Sequence, residues 1–141
     1  MARNTGTGAV LESMILPSLY RGKYACETQK IIGTRPGGGR HKIDAVATSL
    51  HSRQQFLISL KWQQSGGTAE QKVPFEVICL LDGMRQSSGR YQKAYLVLGG
   101  EGWSLREFYV SDGLKEYIDY HPYVRIVTLE KFVALANSSQ L

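Results

Sequence analysis

Cysteine is scarce in this sequence, and long apolar runs are absent. The chain has 141 residues and only two cysteines, Cys26 and Cys79, too few for a disulfide framework or a metal-binding knuckle. Their apolar neighbours favour buried free thiols and a reducing compartment. The run 77–81 is far shorter than the ~18–20 residues that cross a bilayer, and residues 1–12 lack the pattern of a secretory signal. We therefore expect a cytoplasmic protein, encoded by a bacterium or a phage, with no membrane partner.

Acidic residues are in the minority. There are 12 Asp and Glu against 17 Lys and Arg, which gives a formal net charge of +5. This balance points weakly to a polyanionic partner such as nucleic acid. The 43% hydrophobic and 21% charged residues are ordinary for a folded protein and exclude a disordered chain. Since a domain has about 100–200 residues, we expect residues 1–141 to form a single domain.

Hydrophobic periodicity and turn residues predict alternating helices and strands. Strands are predicted at 24–32, 41–48, 55–63, 92–98 and 124–128. Helices are predicted at 7–19 with Thr7 as N-cap, at 68–84 with a Thr68–Gln71 capping box, within 105–120 and at 129–136. The expected fold class is α/β, a mixed central β-sheet flanked by helices on both faces, with an αβββαβ core and a C-terminal α/β extension.

An acid and a lysine on neighbouring predicted strands carry the main functional signal. Asp44 lies on one strand of a predicted hairpin, and Ser59, Lys61 and Gln63 share the polar face of the next. A carboxylate can hold Mg²⁺, which polarises a phosphodiester and activates water, while an ammonium orients that water or stabilises the phosphate. A cross-strand ion pair with no chemistry is the alternative. Because one carboxylate is a poor Mg²⁺ site, the chemistry needs a second acid.

Three glutamates are candidates for that second acid. Glu70 lies in the first turn of the second predicted helix and continues its apolar stripe. Glu76 lies beside the edge of that stripe, so we expect it to be solvated. Glu12 lies next to the apolar stripe of the first helix. An acid beside a buried stripe needs a partner, and either a metal ion or Lys61 would serve.

At these residues the chain resembles the PD-(D/E)XK, or restriction-endonuclease-like, nuclease superfamily. That family has an acid on one strand, an acid-x-lysine on the next, and a preceding helix that often carries a glutamate. The pattern maps onto Asp44, Ser59-Leu60-Lys61 and Glu12, and the resemblance covers roughly 7–98. The usual proline is replaced by Ile43, and Ser59 stands where the family has its second acid.

The resemblance implies a replacement for the acid missing at Ser59. Some restriction enzymes of the superfamily have a serine there and supply a glutamate from the following helix. By that precedent Glu70 is the leading substitute and Glu76 the reserve. The implied metal ligands are then Asp44, Glu70 and Glu12, holding Mg²⁺ with Mn²⁺ as a substitute.

The implied function is a metal-dependent endonuclease of duplex DNA, of homing or restriction type. Lys61 would position the attacking water, with Gln63 assisting. Two alternatives stay open. One is a Holliday-junction resolvase of the same fold. The other is a degenerate module that binds nucleic acid without cutting, which Ser59 would favour.

A glycine-rich loop at 33–40 is the predicted DNA contact. It carries Arg35 and Arg40 and is followed by His41 and Lys42, and its bare backbone would let a phosphate strand approach closely. A solvated loop is the alternative. Because one chain offers one active site, cutting both strands implies a homo-oligomer, a dimer or a tetramer. Candidate interface residues are the segment 132–136 and Tyr117, Tyr120 and Tyr123.

Overall fold

A five-stranded mixed sheet forms the centre of the structure, a computed structural model that describes residues 6–141. Its strands are β1 (Tyr24–Thr34), β2 (Arg40–Ser49), β3 (Gln55–Trp62), β4 (Tyr91–Gly99) and β5 (Val124–Thr128). They are ordered β1-β2-β3-β4-β5 across the sheet. The first three are antiparallel, whereas β3, β4 and β5 run parallel. The mixed sheet predicted from the sequence is confirmed.

The helices connect and cover these strands. The first, α1, is continuous from Thr7–Val10 through a π-helical turn, Leu11–Ile15, to Leu16–Arg21. The others are α2 (Ala69–Gln86), α3 (Arg106–Val110), which is followed by a 3₁₀ turn at Gly113–Glu116, and α4 (Leu129–Asn137). No helix within residues 6–141 is both long and apolar enough to span a bilayer.

Apolar side chains fill both faces of the sheet. On one face, Ile15 and Leu19 of α1 and Phe132 of α4 pack on Ile58 and Tyr95. On the other face, α2 and the segment after β4 cover the sheet, and the α2 residues of this core are Val73, Val77 and Leu80. Helices on both faces confirm the expected α/β layering.

This packing corrects the predicted oligomer contacts. Phe132, Ala136 and Tyr120 are all fully buried within the chain's own cores, so they cannot supply an interface. Their apolar character is explained by intramolecular packing. Tyr117 and Tyr123, in contrast, are 76% and 58% exposed.

The predicted cap of the first helix is wrong, and that of the second is confirmed in position but not in its hydrogen bond. Gly6, and not Thr7, precedes α1. Thr68 does precede α2, but its side chain makes no capping hydrogen bond, and its carbonyl accepts the N–H of Gln71 at 3.1 Å instead. The backbone bond already satisfies the donor that the capping box would have used.

The strands β2 and β3 part where the candidate site lies. They pair from Thr48↔Gln55 to Ala45↔Ile58, and the ladder ends there. Just beyond, Oδ2 of Asp44 accepts the backbone N–H of Leu60 at 2.7 Å. The carboxylate thus takes the place of a carbonyl in the interrupted ladder. From this point β3 keeps only β4 as its neighbour, in the register Lys61↔Leu98.

Candidate active site

Asp44 is a partly buried carboxylate, and one of its two oxygens accepts a hydrogen bond. Its Oδ2 accepts the N–H of Leu60, and no hydrogen bond within residues 6–141 involves Oδ1. Burial raises the pKa of Asp44, while the Leu60 hydrogen bond and the Lys61 charge oppose the rise and the Glu76 charge adds to it. Charge on Asp44 is therefore costly without a cation, and a free oxygen is present to receive one.

Glu76 of α2 is buried against β3, whereas the sequence predicted that it would be solvated. It is 5% exposed. The Ser59 hydroxyl donates to its Oε2 at 2.8 Å, and the Lys61 ammonium lies 3.5 Å from its Oε1. The helix therefore brings a carboxylate to the position where the strand carries serine.

The burial of Glu76 follows from helical spacing. It lies three residues after Val73 and four before Leu80, and both of these are fully buried. Residues at these spacings share a helix face. The polar Ser59 on the opposing buried strand supplies the donor that makes this burial possible. Taken together, the two signals were available in the sequence.

Arg35 adds a second cation to Glu76. Its guanidinium lies 3.9 Å from Oε1, the oxygen that Lys61 also faces, and 5.7 Å above the ring of Phe75. The predicted DNA-contacting loop therefore borders the carboxylate cluster. One hydroxyl and two cations compensate the buried charge of Glu76.

Glu70 is buried as predicted, but its partners lie elsewhere. The Ser104 hydroxyl donates to its Oε2 at 2.8 Å, and the Leu105 N–H donates to its Oε1 at 2.6 Å. The Leu105 hydrogen bond is the main cause that holds the pKa of Glu70 below its ordinary value. Within the described chain, Lys61 pairs with Glu76 and not with Glu70. Glu70 ties the first turn of α2 to the segment that precedes α3.

The remaining predicted catalytic residues make no hydrogen bond or ion pair with Asp44 among the described residues. Gln63 is 5% exposed, and its Nε2 donates to the carbonyl of Gly102 at 2.7 Å. It lies next to Glu70, whose pKa its side chain helps to lower. Glu12 is exposed on α1 and makes no ion pair within residues 6–141. The structure thus brings together Asp44, Lys61 and Glu76.

His41 is buried beneath α2, which corrects its predicted contact with DNA. It is 1% exposed, and neither ring nitrogen has a hydrogen-bond partner among the described residues. A Cβ built on Gly83 would lie 3.3 Å from its Nδ1, so the imidazole packs against a glycine of the helix. Burial lowers the pKa of His41. Strand alternation explains the placement, since its neighbours Arg40 and Lys42 are exposed.

Comparison with known proteins agrees with this geometry. The model of the PD-(D/E)XK nuclease superfamily domain matches residues 3–140 of the chain. The chain belongs to the PD-(D/E)XK nuclease superfamily. The predicted resemblance is confirmed, and it extends over the C-terminal third as well. Membership in the PD-(D/E)XK superfamily indicates nuclease activity.

Among solved structures, the chain is similar in fold to AF1548, a protein of unknown function. The TM-score is 0.52 at 11% sequence identity, over 81% of this chain and 54% of that one. The chain thus spans about half the length of AF1548, and the likeness concerns the fold alone. No curated protein is significantly similar to the chain.

PD-(D/E)XK nucleases usually use divalent metals, and the donor set can be tested for one. Residues 6–141 contain no cluster of three or more His, Cys, Asp or Glu side chains able to hold a metal ion. The two carboxylates Asp44 and Glu76 remain, and Oδ1 of Asp44 is free of hydrogen bonds from the described residues. Mg²⁺ is commonly held by one or two carboxylates together with waters and substrate phosphates. The residues fit a hard cation shared with a phosphate, and do not fit an all-protein cage.

Proposed function

We propose that this protein is a metal-dependent endonuclease that hydrolyses phosphodiester bonds of duplex DNA, in the manner of a homing or restriction enzyme. The observation that carries the proposal is the Ser59 hydrogen bond to Glu76, 2.8 Å long. It supplies the second carboxylate that the superfamily pattern lacks at Ser59, next to Lys61 and near Asp44.

Each residue of the cluster has a role in this reaction. Asp44 and Glu76 would hold Mg²⁺, or Mn²⁺ as a substitute, and the cation would supply Lewis-acid polarisation of the phosphate. Lys61 orients the attacking water or stabilises charge on the scissile phosphate. Ser59 fixes the Glu76 carboxylate by hydrogen bonding to one oxygen. Glu70 and Gln63 support the loop between β4 and α3 and do not carry the chemistry.

Duplex DNA as the substrate is supported by charge and position. The loop between β1 and β2 borders the cluster through Arg35, and Arg40 and Lys42 are exposed just beyond it. Basic side chains beside a cleavage site position the phosphate backbone. The net charge of +5 agrees with a polyanionic substrate.

The decisive experiment is cleavage of a mixed duplex library and of a four-way junction, each with Mg²⁺, Mn²⁺ or EDTA. We expect discrete duplex fragments with either metal and none with EDTA. We expect Asp44→Asn and Lys61→Ala to reduce cleavage at least ~100-fold with little effect on DNA binding. Asp119→Asn and Lys115→Ala remove the same charges at exposed positions and serve as matched controls.

Other results of that experiment would replace the proposal. Cleavage confined to the junction would make the protein a Holliday-junction resolvase. Binding without cleavage under every condition would make it a degenerate DNA-binding module. Wild-type turnover in Asp44→Asn or Lys61→Ala would show that the active-site assignment is wrong.

We further propose that the active form is a homo-oligomer, because two strands require two active sites. Tyr117 and Tyr123 remain the exposed candidates for contact between copies. We expect sedimentation to report a dimer or a tetramer, and a monomer that still makes double-strand breaks would contradict this. The unpaired thiols Cys26 and Cys79 agree with a cytoplasmic location.

A further inference from the structure

Arg35 occupies the same carboxylate oxygen that a cation would need. Its guanidinium and the Lys61 ammonium both face Oε1 of Glu76, at 3.9 and 3.5 Å. Oε2 is taken by Ser59. Every described contact of the Glu76 carboxylate is therefore a donor of this chain, and the donors come from strand β3 and from the loop between β1 and β2.

The base of the loop that carries Arg35 is fixed by α2. The Gln86 amide accepts the N–H of Thr34 at 3.1 Å and donates to the Thr34 carbonyl at 2.7 Å. Asp82 in turn accepts from the same amide at 2.7 Å. Arg35 follows directly, and its side chain lies over Phe75. Its position against Glu76 is therefore a built feature of the fold.

The tip of the loop is open. Gly37 and Gly38 have φ values of 96° and 109°, and a Cβ at either would meet no atom within 4 Å. A phosphate backbone can approach such a tip closely. The Arg35 side chain is itself 36% exposed, so its guanidinium can leave Glu76 without unpacking a core.

The charges of the cluster balance only while Arg35 remains in place. Asp44 and Glu76 are matched by Lys61 and Arg35, so a divalent cation would leave an excess of two positive charges. If Arg35 moves away, the same cation meets a site with a net negative charge. Guanidinium groups bind phosphate through paired hydrogen bonds, which makes a DNA phosphate a suitable alternative partner.

We propose that Arg35 acts as an electrostatic latch, an inference that rests on the proposed function. Arg35 pairs with Glu76 in the absence of DNA and moves to a DNA phosphate when DNA binds. Glu76 then becomes available to a divalent cation only on the substrate complex. The coupling is reciprocal, because DNA raises cation affinity by the factor by which the cation raises DNA affinity.

The first test measures Mn²⁺ binding to the DNA-free protein from the electron paramagnetic resonance of the unbound ion. We expect Arg35→Ala to bind Mn²⁺ about five- to tenfold more tightly than the wild type, the size of a typical coupling between sites. Arg40→Ala removes an equal charge at the first residue of β2, has no ion pair with Glu76 among the described residues, and should match the wild type.

The second test measures duplex binding in EDTA, where no cation contributes. Glu76→Gln frees Arg35, so we expect binding about fivefold tighter. In the Arg35→Ala background the gain from Glu76→Gln should shrink to the size of the gain from Asp44→Asn. Asp44→Asn removes a neighbouring charge that has no ion pair with Arg35, and it should give a smaller gain that persists in the Arg35→Ala background.

The outcomes separate the latch from the nuclease proposal. If Asp44→Asn and Glu76→Gln, each made in the Arg35→Ala background, leave Mn²⁺ binding unchanged, the cation site itself is wrong. If both weaken Mn²⁺ binding there but Arg35→Ala alone behaves like Arg40→Ala, the latch is overturned and the nuclease stands. An undiminished gain from Glu76→Gln in the double variant would also overturn it.

Discussion

Glu70, in the first turn of α2, and Glu76, about two turns further along the same helix, are both buried, and their surroundings differ. Glu70 accepts hydrogen bonds from the neutral donors Ser104 and Leu105, which satisfy it. Glu76 faces Lys61 and Arg35 and lies close enough to Asp44 to raise its pKa.

This difference is the reason why we propose a structural role for Glu70 and a chemical role for Glu76. Hydrogen bonds from neutral donors stabilise the charged form of a carboxylate and so lower its pKa, and the same bonds hold the donor loop in place. Two carboxylates in one cluster, compensated by Ser59 and by the partly exposed cations Lys61 and Arg35, form an arrangement in which a divalent ion can replace the cationic side chains. Burial alone did not distinguish Glu70 from Glu76, since both are at most 8% exposed.

The largest effect is expected from Glu76→Gln. The substitution keeps the size of the side chain and leaves an acceptor for Ser59, but it removes one of the two proposed cation ligands. Cleavage under single-turnover conditions should fall at least ~100-fold. Circular dichroism should report an unchanged fold, and Glu107→Gln at an exposed position of α3 is the matched control. Retained cleavage would indicate that Glu70, and not Glu76, is the second metal ligand.

Glu70→Gln should lower stability and spare the chemistry. It weakens the hydrogen bonds to Ser104 and Leu105, so the melting temperature should fall by several degrees. Cleavage at a temperature where the variant is folded should stay within about threefold of the wild type. Ser104→Ala removes one of the two bonds and should give a smaller decrease. A loss of cleavage as large as that of Glu76→Gln would show that Glu70 does not have a purely structural role.

Asp44→Asn should stabilise the metal-free protein at neutral pH. Burial raises the pKa of Asp44 in the folded state, so the charged form opposes folding above that pKa. This cost is present at neutral pH and disappears as the pH falls through the raised pKa. Urea unfolding in EDTA should show a gain of about 0.5–2 kcal/mol at pH 7, as is common for substitutions at functional sites. The gain in the free energy of unfolding should shrink toward pH 4. A larger gain at pH 4 than at pH 7 would contradict a raised pKa of Asp44 in the folded state.

His41→Leu should give the smallest effect, a stabilisation of about 1 kcal/mol at pH 7, because two unpaired buried nitrogens are removed. Burial lowers the pKa of His41 below the ordinary value of 6.5. Between the two pKa values, the imidazole is therefore protonated in the unfolded chain and neutral in the folded protein. The wild type therefore loses stability as the pH falls below 6.5, and the variant lacks this loss. Urea titrations at pH 7 and pH 5 measure the difference, and an equal gain at both would reject the assignment.

The sequence predicted the elements better than it predicted the partners. Strand β5 and the beginning of α4 match the predicted residues, because apolar alternation and periodicity are local. The Asp44–Lys61 relation also followed from strand geometry. The sequence carries a signal for Glu76, which shares a helix face with Val73 and Leu80, but the contact of Glu70 with Ser104 and Leu105 depends on tertiary folding and has no local pattern. The Arg35 contact depends on where a glycine-rich turn folds back, which is likewise tertiary.

The placement of Ser59 has a consequence for how the site is assembled. In the usual superfamily pattern both acids belong to one hairpin, whereas in this chain one belongs to the sheet and the other to α2. A folding intermediate that has formed only the β2–β3 hairpin would possess a single carboxylate and stay inert. On the proposed assignment, the ability to hydrolyse DNA would arise only once the helix has docked, and incompletely folded copies would leave nucleic acid intact.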